Sequence, residues 1–468
     1  MAAGLAGVES PVALAVRISS MEESRSIESS ILVTSRLRFE SAETGLKARR
    51  TAHGPILFTM TTSAPVEFRE AVLSNGLTIQ AEIVPDALTA AAGFFFRTGA
   101  RDESSEVMGV SHFLEHMMFK GTETRTAEDV NRGFDDLGAN HNAFTSAEQT
   151  AYYAHVPFDA LDPALEILAD ILRPSLRPED FEEEKGVILE EIAMYDDQPF
   201  WVLYEQALER YYGNHTLGHR VLGTKETVSA LTPELMREYF NRRYSADNSV
   251  LAASGRIDFD HLVALAESLC GHWPKGEPGR DLGTIEFVPG ELEVKLPEIQ
   301  QRYLMFMAPS VGIGDELKYA GAQALRVLGD QEGSTFFWEL IETGLAEEAA
   351  MHLDTRDGSG EAIATVVCGP ENSEKVEAIV RREMVRIMEK INDDALLRSR
   401  AKIATAAMLA SERPMGRMTR LGSRWTYGLP HTSLDEEIAR IDAVGIEDVR
   451  AYLEAHPLDE LLVIRGGG

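Results

Sequence analysis

Residues 109–120 carry the pattern His112-x-x-Glu115-His116 within a segment that predicts a helix. Residues three and four apart on a helix share one face, so two imidazoles can grip one metal ion with Glu115 beside them. The order is the inverse of H-E-x-x-H, a zinc-binding pattern. The alternative is a chance spacing on a solvated helix. Burial of this helix would favour a metal site, because buried imidazoles and carboxylates need partners. The flanking apolar residues predict that burial: Val110, Phe113, Leu114, Met117, Met118 and Phe119.

A second helix, predicted to begin at Pro178, could complete such a site. Its predicted buried face repeats at helical spacing and comprises Phe181, Glu184, Val187, Ile188, Glu191, Ile192 and Tyr195. The other glutamates, Glu182, Glu183 and Glu190, are predicted to point toward solvent. Catalytic zinc usually takes three protein ligands, so we expect Glu191 to be the third ligand. Glu184, two turns away, could orient a ligand or assist proton transfer.

Composition narrows the function classes. A length of 468 residues allows two or three domains, and a net charge of −31 argues against a nucleic-acid partner. That charge suits a soluble protein and could also attract basic peptides. The apolar run at residues 87–96 is too short to span a membrane, so no membrane association is predicted. Two cysteines, Cys270 and Cys368, do not make a disulfide framework, and a reducing, cytoplasmic location is expected.

Residues 1–60 form a predicted extension that is rich in Ala, Ser, Glu and Arg. The segment lacks the charged start, apolar middle and cleavage site of a secretory signal. Its arginines hint at a transit peptide, but its glutamates oppose that interpretation. We expect this extension to be poorly ordered.

The segment that follows the extension alternates between strand and helix patterns. Ser74-Asn75-Gly76 lies between two β-like runs at residues 67–84 and predicts a hairpin. A strand is predicted at residues 90–97, a helix at residues 127–137 and a pair of strands within residues 138–156.

Taken together, these motifs resemble the pitrilysin family of zinc peptidases, which includes insulin-degrading enzyme and mitochondrial processing peptidase. The resemblance runs from about residue 66 to the C-terminus. The segments that carry it are His112-x-x-Glu115-His116, Glu184-x-x-Val187-Ile188-x-x-Glu191, Asn142-Ala-Phe-Thr145, residues 215–224 and residues 248–255.

The resemblance implies a role for each matching residue. His112, His116 and Glu191 would bind one zinc ion per chain, and Glu115 would activate water. The substrate would be an extended peptide that adds as a further strand beside the site. The edge strand that receives it would contain Asn142, Ala143 and Phe144.

The second half of the chain repeats the pattern of the first. Residues 231–255 and 444–466 each contain a helix pattern followed by a strand that ends in glycine. A strand at residues 303–308 and a helix at residues 318–328 repeat the strand and helix of the His112 motif, but without histidine. We therefore predict an α+β fold of two homologous domains, each an antiparallel sheet with packed helices, and the resemblance implies that they face each other across a cavity. The predicted boundaries are 61–275 for the metal-binding domain, 276–292 for a linker and 293–468 for the domain without ligands.

One segment departs from the family pattern. Many members carry R-E-x-x-G-L-A-Y in the second domain, where the Arg and Tyr are thought to hold the scissile carbonyl. Here Leu340 and Glu347 replace them, and neither can donate a hydrogen bond to an oxyanion. Bacterial relatives divide the two motifs between subunits, so the resemblance implies a homologous partner subunit that supplies an Arg/Tyr pair.

The expected function is that of a zinc metalloendopeptidase that cleaves peptides or small unfolded polypeptides as the catalytic subunit of a heterodimer. Two alternatives remain open. One is a non-catalytic assembly or scaffold subunit, against which the intact metal and base residues count. The other is a self-sufficient homodimeric peptidase, which the replacements at Leu340 and Glu347 weaken.

Overall fold

The structure is a computed structural model that describes residues 65–276, 278–296 and 299–467. The predicted extension at residues 1–60 lies outside the described residues. No helix within the described ranges is both long enough and apolar enough to cross a membrane. Cys270 and Cys368 are buried free thiols.

The first half forms a six-stranded sheet in the order β1-β2-β6-β3-β5-β4. Its strands are β1 (Glu67–Val72), β2 (Thr78–Ile83), β3 (Thr89–Phe96), β4 (Asn140–Thr145), β5 (Thr150–Pro157) and β6 (Ser249–Gly255). Its helices are α1 (Val110–Met118), α2 (Ala127–Asp136), α3 (Leu161–Ile171), α4 (Pro178–Asp196), α5 (Pro199–Tyr212), α6 (Lys225–Ala230), α7 (Pro233–Arg243) and α8 (Phe259–Cys270). The predicted hairpin at Ser74-Asn75-Gly76 joins β1 to β2 in antiparallel register.

The second half forms a five-stranded sheet in the order β7-β11-β8-β10-β9. Its strands are β7 (Gly290–Val294), β8 (Arg302–Ser310), β9 (Glu348–Arg356), β10 (Ser359–Cys368) and β11 (Leu462–Gly467). Its helices are α9 (Lys318–Gly329), α10 (Ser373–Val385), α11 (Asp393–Ser411), α12 (Pro414–Thr426), α13 (Leu434–Ala443) and α14 (Ile446–Ala455).

The two sheets share one topology, which confirms the predicted duplication. Strands β2-β6-β3-β5-β4 of the first sheet correspond in order and direction to β7-β11-β8-β10-β9 of the second. Helix α4 of the first half corresponds to α11 of the second half. Each of them precedes a helix that begins with proline. Glu191 stands eight residues before Pro199, and Ala406 stands eight residues before Pro414. The second half therefore has a methyl group where the first half has a carboxylate.

The predicted antiparallel sheets are confirmed except at one pair of strands in each half. Strands β2 and β6 are parallel, and so are β7 and β11. The last strand of each half returns after a long helical excursion and inserts between two earlier strands that run in opposite directions. A strand in that position must be parallel to one neighbour, and the helical excursion provides the crossover that a parallel pair needs.

The linker also differs from its predicted bounds of 276–292. Strand β7 begins at Gly290 because its residues pair with β11, so the connecting segment ends at residue 289. Buried arginines of the first half hold this segment in place. Arg101 Nη2 donates to the Leu282 carbonyl at 2.8 Å, and Arg243 Nη1 donates to the Gly279 carbonyl at 2.8 Å.

Each half contributes one helix to the sheet of the other half. Helix α12 packs on β3 and β6 of the first sheet, and α5 packs on β8 and β11 of the second sheet. The approach of α12 is so close that a Cβ atom on Gly422 would lie 2.2 Å from the ring of Phe95. A sequence pattern predicts that such a helix has an apolar face, but it does not say which sheet that face will cover.

A buried carboxylate of the first sheet holds α12 in place. Glu82 on β2 accepts from Arg417 at 2.8 Å and from Arg420 at 2.6 Å, and it contacts His431 Nε2 at 3.1 Å. Burial raises the pKa of Glu82, but the His431 hydrogen bond and the two guanidinium groups outweigh it and lower the pKa from 4.5 to about 2. The ionised form is therefore stabilised in the folded chain.

We expect Glu82→Gln to lower the free energy of unfolding by about 3 kcal/mol at about pH 7, because two buried guanidinium groups lose their counter-charge. The folded-state pKa of Glu82 is lowered, so its contribution is complete above pH 4.5 and disappears as the pH falls toward 2. Urea unfolding at about pH 7 and about pH 3 measures this dependence, and Glu67→Gln, at an exposed position of strand β1, is the control. A wild-type to Glu82→Gln difference that is equally large at both pH values would contradict the prediction.

Candidate metal centre

Helix α1 carries the H-x-x-E-H motif into the interior, as the apolar pattern predicts. Its N-cap residue, Gly109, has φ +96°, and the helix packs on α4 through the stacked rings of Phe113 and Phe181, whose centroids are 4.6 Å apart. His112 is only 8% exposed. The ring stacking fixes the distance between the two helices that carry the predicted ligands.

The three predicted ligands converge in one place. His112, His116 and Glu191 each offer one ligand atom, and these atoms lie within 4.8 Å of one another. Glu191 Oε2 is 3.8 Å from His112 Nε2 and 3.7 Å from His116 Nε2. Two ligand atoms of one zinc ion lie less than about 4 Å apart, since each zinc–ligand bond is about 2 Å long. The two Glu191–histidine distances meet this limit, and two imidazoles with one carboxylate are a donor set that zinc takes in catalytic sites.

Burial and charge shape the protonation of these ligands. Burial, with a smaller effect of the neighbouring His116, lowers the pKa of His112 to about 3. Burial also raises the pKa of Glu191 from its ordinary value. A neutral His112 is the form that binds a metal. A nearby cation would favour the ionised form of Glu191.

Glu184 lies behind His116. Its Oε1 is 2.8 Å from His116 Nδ1, and its other oxygen pairs with Lys120. Burial raises the pKa of Glu184, but the hydrogen bonds with His116 and Lys120 outweigh it, so the pKa of Glu184 is lowered. A carboxylate in this position orients the imidazole and leaves Nε2 free to face a metal. No periodicity in the sequence identifies Lys120 as its partner.

Glu115 projects from the same helix toward the edge strand β4. Thr145 Oγ1, on β4, donates to Glu115 Oε2 at 2.6 Å. Burial raises the pKa of Glu115, although the Thr145 hydrogen bond lowers it in part. Thr145 belongs to the segment Asn142-Ala-Phe-Thr145 that carries the family resemblance, but only the fold reveals that its hydroxyl meets the Glu115 carboxylate.

The predicted edge strand is an edge of the first sheet, because β4 pairs only with β5 in the described sheet order. Ala143 and Phe144 line the cavity next to His112. Asn142 is exposed, and its Oδ1 accepts the Ala143 N–H at 2.9 Å. A peptide strand that pairs with β4 would therefore compete with the Asn142 side chain for this donor.

The cavity has a volume of about 550 Å³ and lies between the two halves. Its first-half lining includes the three candidate ligands and Glu115, and its second-half lining includes Lys318, Tyr319, Asp354, Arg356, Arg424 and Tyr427. Leu340 and Glu347 are not among the described residues that line the cavity. Leu340 is fully buried in the core of the second half, whereas Glu347 is exposed.

The surface of α4 differs from the prediction at one position. Val187 was expected on the buried face, but it is 44% exposed. At 100° per residue, Val187 lies at the margin of the apolar stripe. Glu182, Glu183 and Glu190 are exposed, as predicted.

Two family models together match most of the chain. Residues 79–225 match Insulinase (Peptidase family M16), and residues 230–403 match the Peptidase M16 inactive domain. The second description agrees with the described residues of the second half, which contain no group of three potential metal ligands.

Relatives and solved structures extend these matches. A Mycobacterium bovis protein named an uncharacterized zinc protease is 33% identical over 396 residues, which cover 82% of this chain and 89% of the relative. A Bacillus subtilis protein with the same description is 32% identical over 378 residues, with coverage of 80% and 92%. The crystal structure of an M16-like peptidase from Alicyclobacillus acidocaldarius has a TM-score of 0.75 at 23% identity, with coverage of 87% and 99%. Since sequence and fold match over both halves, this chain belongs to the M16, or insulinase, family of peptidases.

Proposed function

We propose that the chain is a zinc-dependent endopeptidase that cleaves peptides or small unfolded polypeptides. The observation that carries the proposal is the convergence of His112, His116 and Glu191, with Glu115 beside them, in one cavity bordered by an edge strand. Relatives named zinc proteases support the same chemistry.

The roles follow from the contacts of each side chain. His112, His116 and Glu191 would hold one zinc ion, which when bound would polarise the peptide carbonyl and the attacking water. Glu115 would take a proton from that water and pass it to the leaving amine. The Thr145 hydroxyl holds one oxygen of Glu115, so the carboxylate is oriented before substrate arrives.

Substrate would bind as an added strand on β4. An edge strand presents unpaired backbone groups, which give affinity for an extended peptide without fixing its sequence. Ala143 and Phe144 would contact the peptide inside the cavity, and Asn142 would release the Ala143 N–H to it. A cavity of about 550 Å³ is of the size that encloses a small ligand or a short peptide segment.

Metal removal tests the proposal directly. The purified chain, with any partner that co-purifies, should contain zinc and cleave a quenched peptide. Treatment with a chelator should abolish cleavage, and added zinc should restore it, because the ligands need no refolding to bind the ion again. A zinc-free preparation with undiminished cleavage would contradict the proposed function.

We also propose a homologous partner subunit that supplies an Arg/Tyr pair. Peptide hydrolysis passes through an oxyanion, and donors aimed at that charge are often the largest single catalytic contribution. Leu340 cannot supply such a donor, because it is apolar and fully buried away from the cavity. Glu347 is exposed and carries an acceptor rather than a donor.

The isolated subunit should therefore bind zinc but cleave a quenched peptide slowly. Addition of the partner should raise the rate on the order of 10²-fold or more, and substitution of the partner's Arg or Tyr should remove that gain. Full activity of the verified-pure chain, unchanged by the partner, would favour the self-sufficient homodimer. A scaffold subunit predicts no cleavage in either preparation.

A further inference from the structure

The helix that carries the metal motif cannot cap its own N-terminus. Gly109 occupies the N-cap position with φ +96°, and it makes no side-chain cap. A Cβ atom there would lie 2.6 Å from the Leu222 carbonyl oxygen, so both the conformation and the close approach require glycine. The first N–H groups of the helix therefore need an acceptor from elsewhere in the chain.

Glu103 provides that acceptor. Its Oε2 accepts the Gly109 N–H at 2.7 Å, and its Oε1 accepts the Ser111 N–H at 2.7 Å. The side chain is buried, with only 2% of the residue exposed. Burial raises the pKa of Glu103 to about 8, but both of its oxygens act as acceptors, which is the pattern of the ionised form. A negative charge at a helix N-terminus also interacts favourably with the helix dipole.

The side chain of Ser111 also holds the first turn of α1 in place. The Ser111 hydroxyl is 2.7 Å from the Tyr239 hydroxyl, which in turn is 2.8 Å from Thr98 Oγ1. Ser111 directly precedes His112. The backbone and the side chain of the residue before the first candidate ligand are therefore both held by buried groups.

We propose that Glu103 is a positioning residue of the metal centre, which sets the start of α1 and thereby the direction in which His112, Glu115 and His116 project. This inference rests on the proposed function, because it assigns Glu103 a part in metal binding. Glu103 contacts neither the ligand side chains nor the cavity among the described contacts, so it acts through the helix backbone.

Glu103→Gln tests the proposal. An amide has one acceptor oxygen, and its NH₂ group would face a backbone N–H donor. One of the two hydrogen bonds to the start of α1 is therefore lost. We expect zinc affinity, measured by competition with a chelator, to fall on the order of tenfold or more. The visible spectrum of the cobalt-loaded protein should also change, because the ligands project differently. Glu106→Gln, which removes an exposed carboxylate three residues away, should match the wild type in both measurements.

Two further measurements keep the test decisive. Glu103→Asp retains the charge on a shorter side chain and should bind zinc with an affinity between those of the wild type and Glu103→Gln; it replaces Glu103→Gln if the latter does not fold. Wild-type affinity and spectrum in both variants would overturn the proposal. If the wild type itself binds no zinc, the proposed function fails. Hydrogen exchange of the metal-free proteins then tests Glu103 alone, with faster exchange expected in α1 of Glu103→Gln and unchanged exchange counting against it.

Discussion

The Glu115→Gln protein is expected to keep its zinc and its affinity for peptide while its turnover falls on the order of 10²–10⁴-fold. The amide has nearly the shape of the carboxylate, and its oxygen can still accept the hydrogen bond from Thr145. It cannot take a proton from water, so the step assigned to Glu115 is lost. Because Glu115 is not one of the three ligands, the metal should remain bound.

Three measurements decide this result: zinc content by elemental analysis, the Kd for an uncleaved peptide, and kcat on a quenched peptide. They are made beside the wild type, with the partner present where it is required for activity. Glu190→Gln is the matched control, since it makes the same chemical change on an exposed side chain. Near-normal turnover by a zinc-loaded Glu115→Gln protein would remove Glu115 from the mechanism.

Removal of any one of the three ligands should have a comparably large effect on metal binding. His112→Ala, His116→Ala and Glu191→Ala each leave only two protein ligands for an ion that takes three in catalytic sites. The loss of zinc affinity should exceed the roughly 10–100-fold that removal of an outer hydrogen-bond partner costs. Glu184→Gln, which alters such a partner of His116, should fall within that range.

The order of zinc content across these variants is the informative quantity. Glu190→Ala should retain the wild-type content, because its side chain faces solvent on the same helix as Glu191. Thermal unfolding of the metal-free proteins shows whether each variant still folds. A Glu190→Ala protein that loses zinc while Glu191→Ala keeps it would overturn the ligand assignment.

Local patterns in the sequence were sufficient to predict several elements. The hairpin at Ser74-Asn75-Gly76 follows from the turn preferences of these residues, and the burial of α1 follows from the apolar residues that flank its histidines. The two inward glutamates of α4 follow from helical periodicity, although Val187 shows that the edge of an apolar stripe is poorly defined. Periodicity reports which face is buried, and this was enough to predict the convergence of the candidate ligands once the family resemblance was considered.

Contacts between distant segments could not be predicted in this way. The hydrogen bonds from Gly109 and Ser111 to Glu103 depend on a backbone conformation that no periodicity encodes. The Thr145 hydroxyl meets Glu115 only after β4 takes its place at the sheet edge. The parallel pairing of β6 depends on where a returning strand inserts, and single-sequence patterns do not specify that position.

The reciprocal placement of α5 and α12 has a consequence for how the chain can be divided. A fragment that ends in the linker would expose the face of the first sheet that α12 covers, including Phe95 and Val250. The complementary fragment would expose the face of the second sheet that α5 covers, including Met305 and Ile464. The two halves share one topology, yet each depends on a helix of the other half to cover its sheet. A cut in the linker should leave two fragments that remain associated and that must be co-expressed to be recovered in native form.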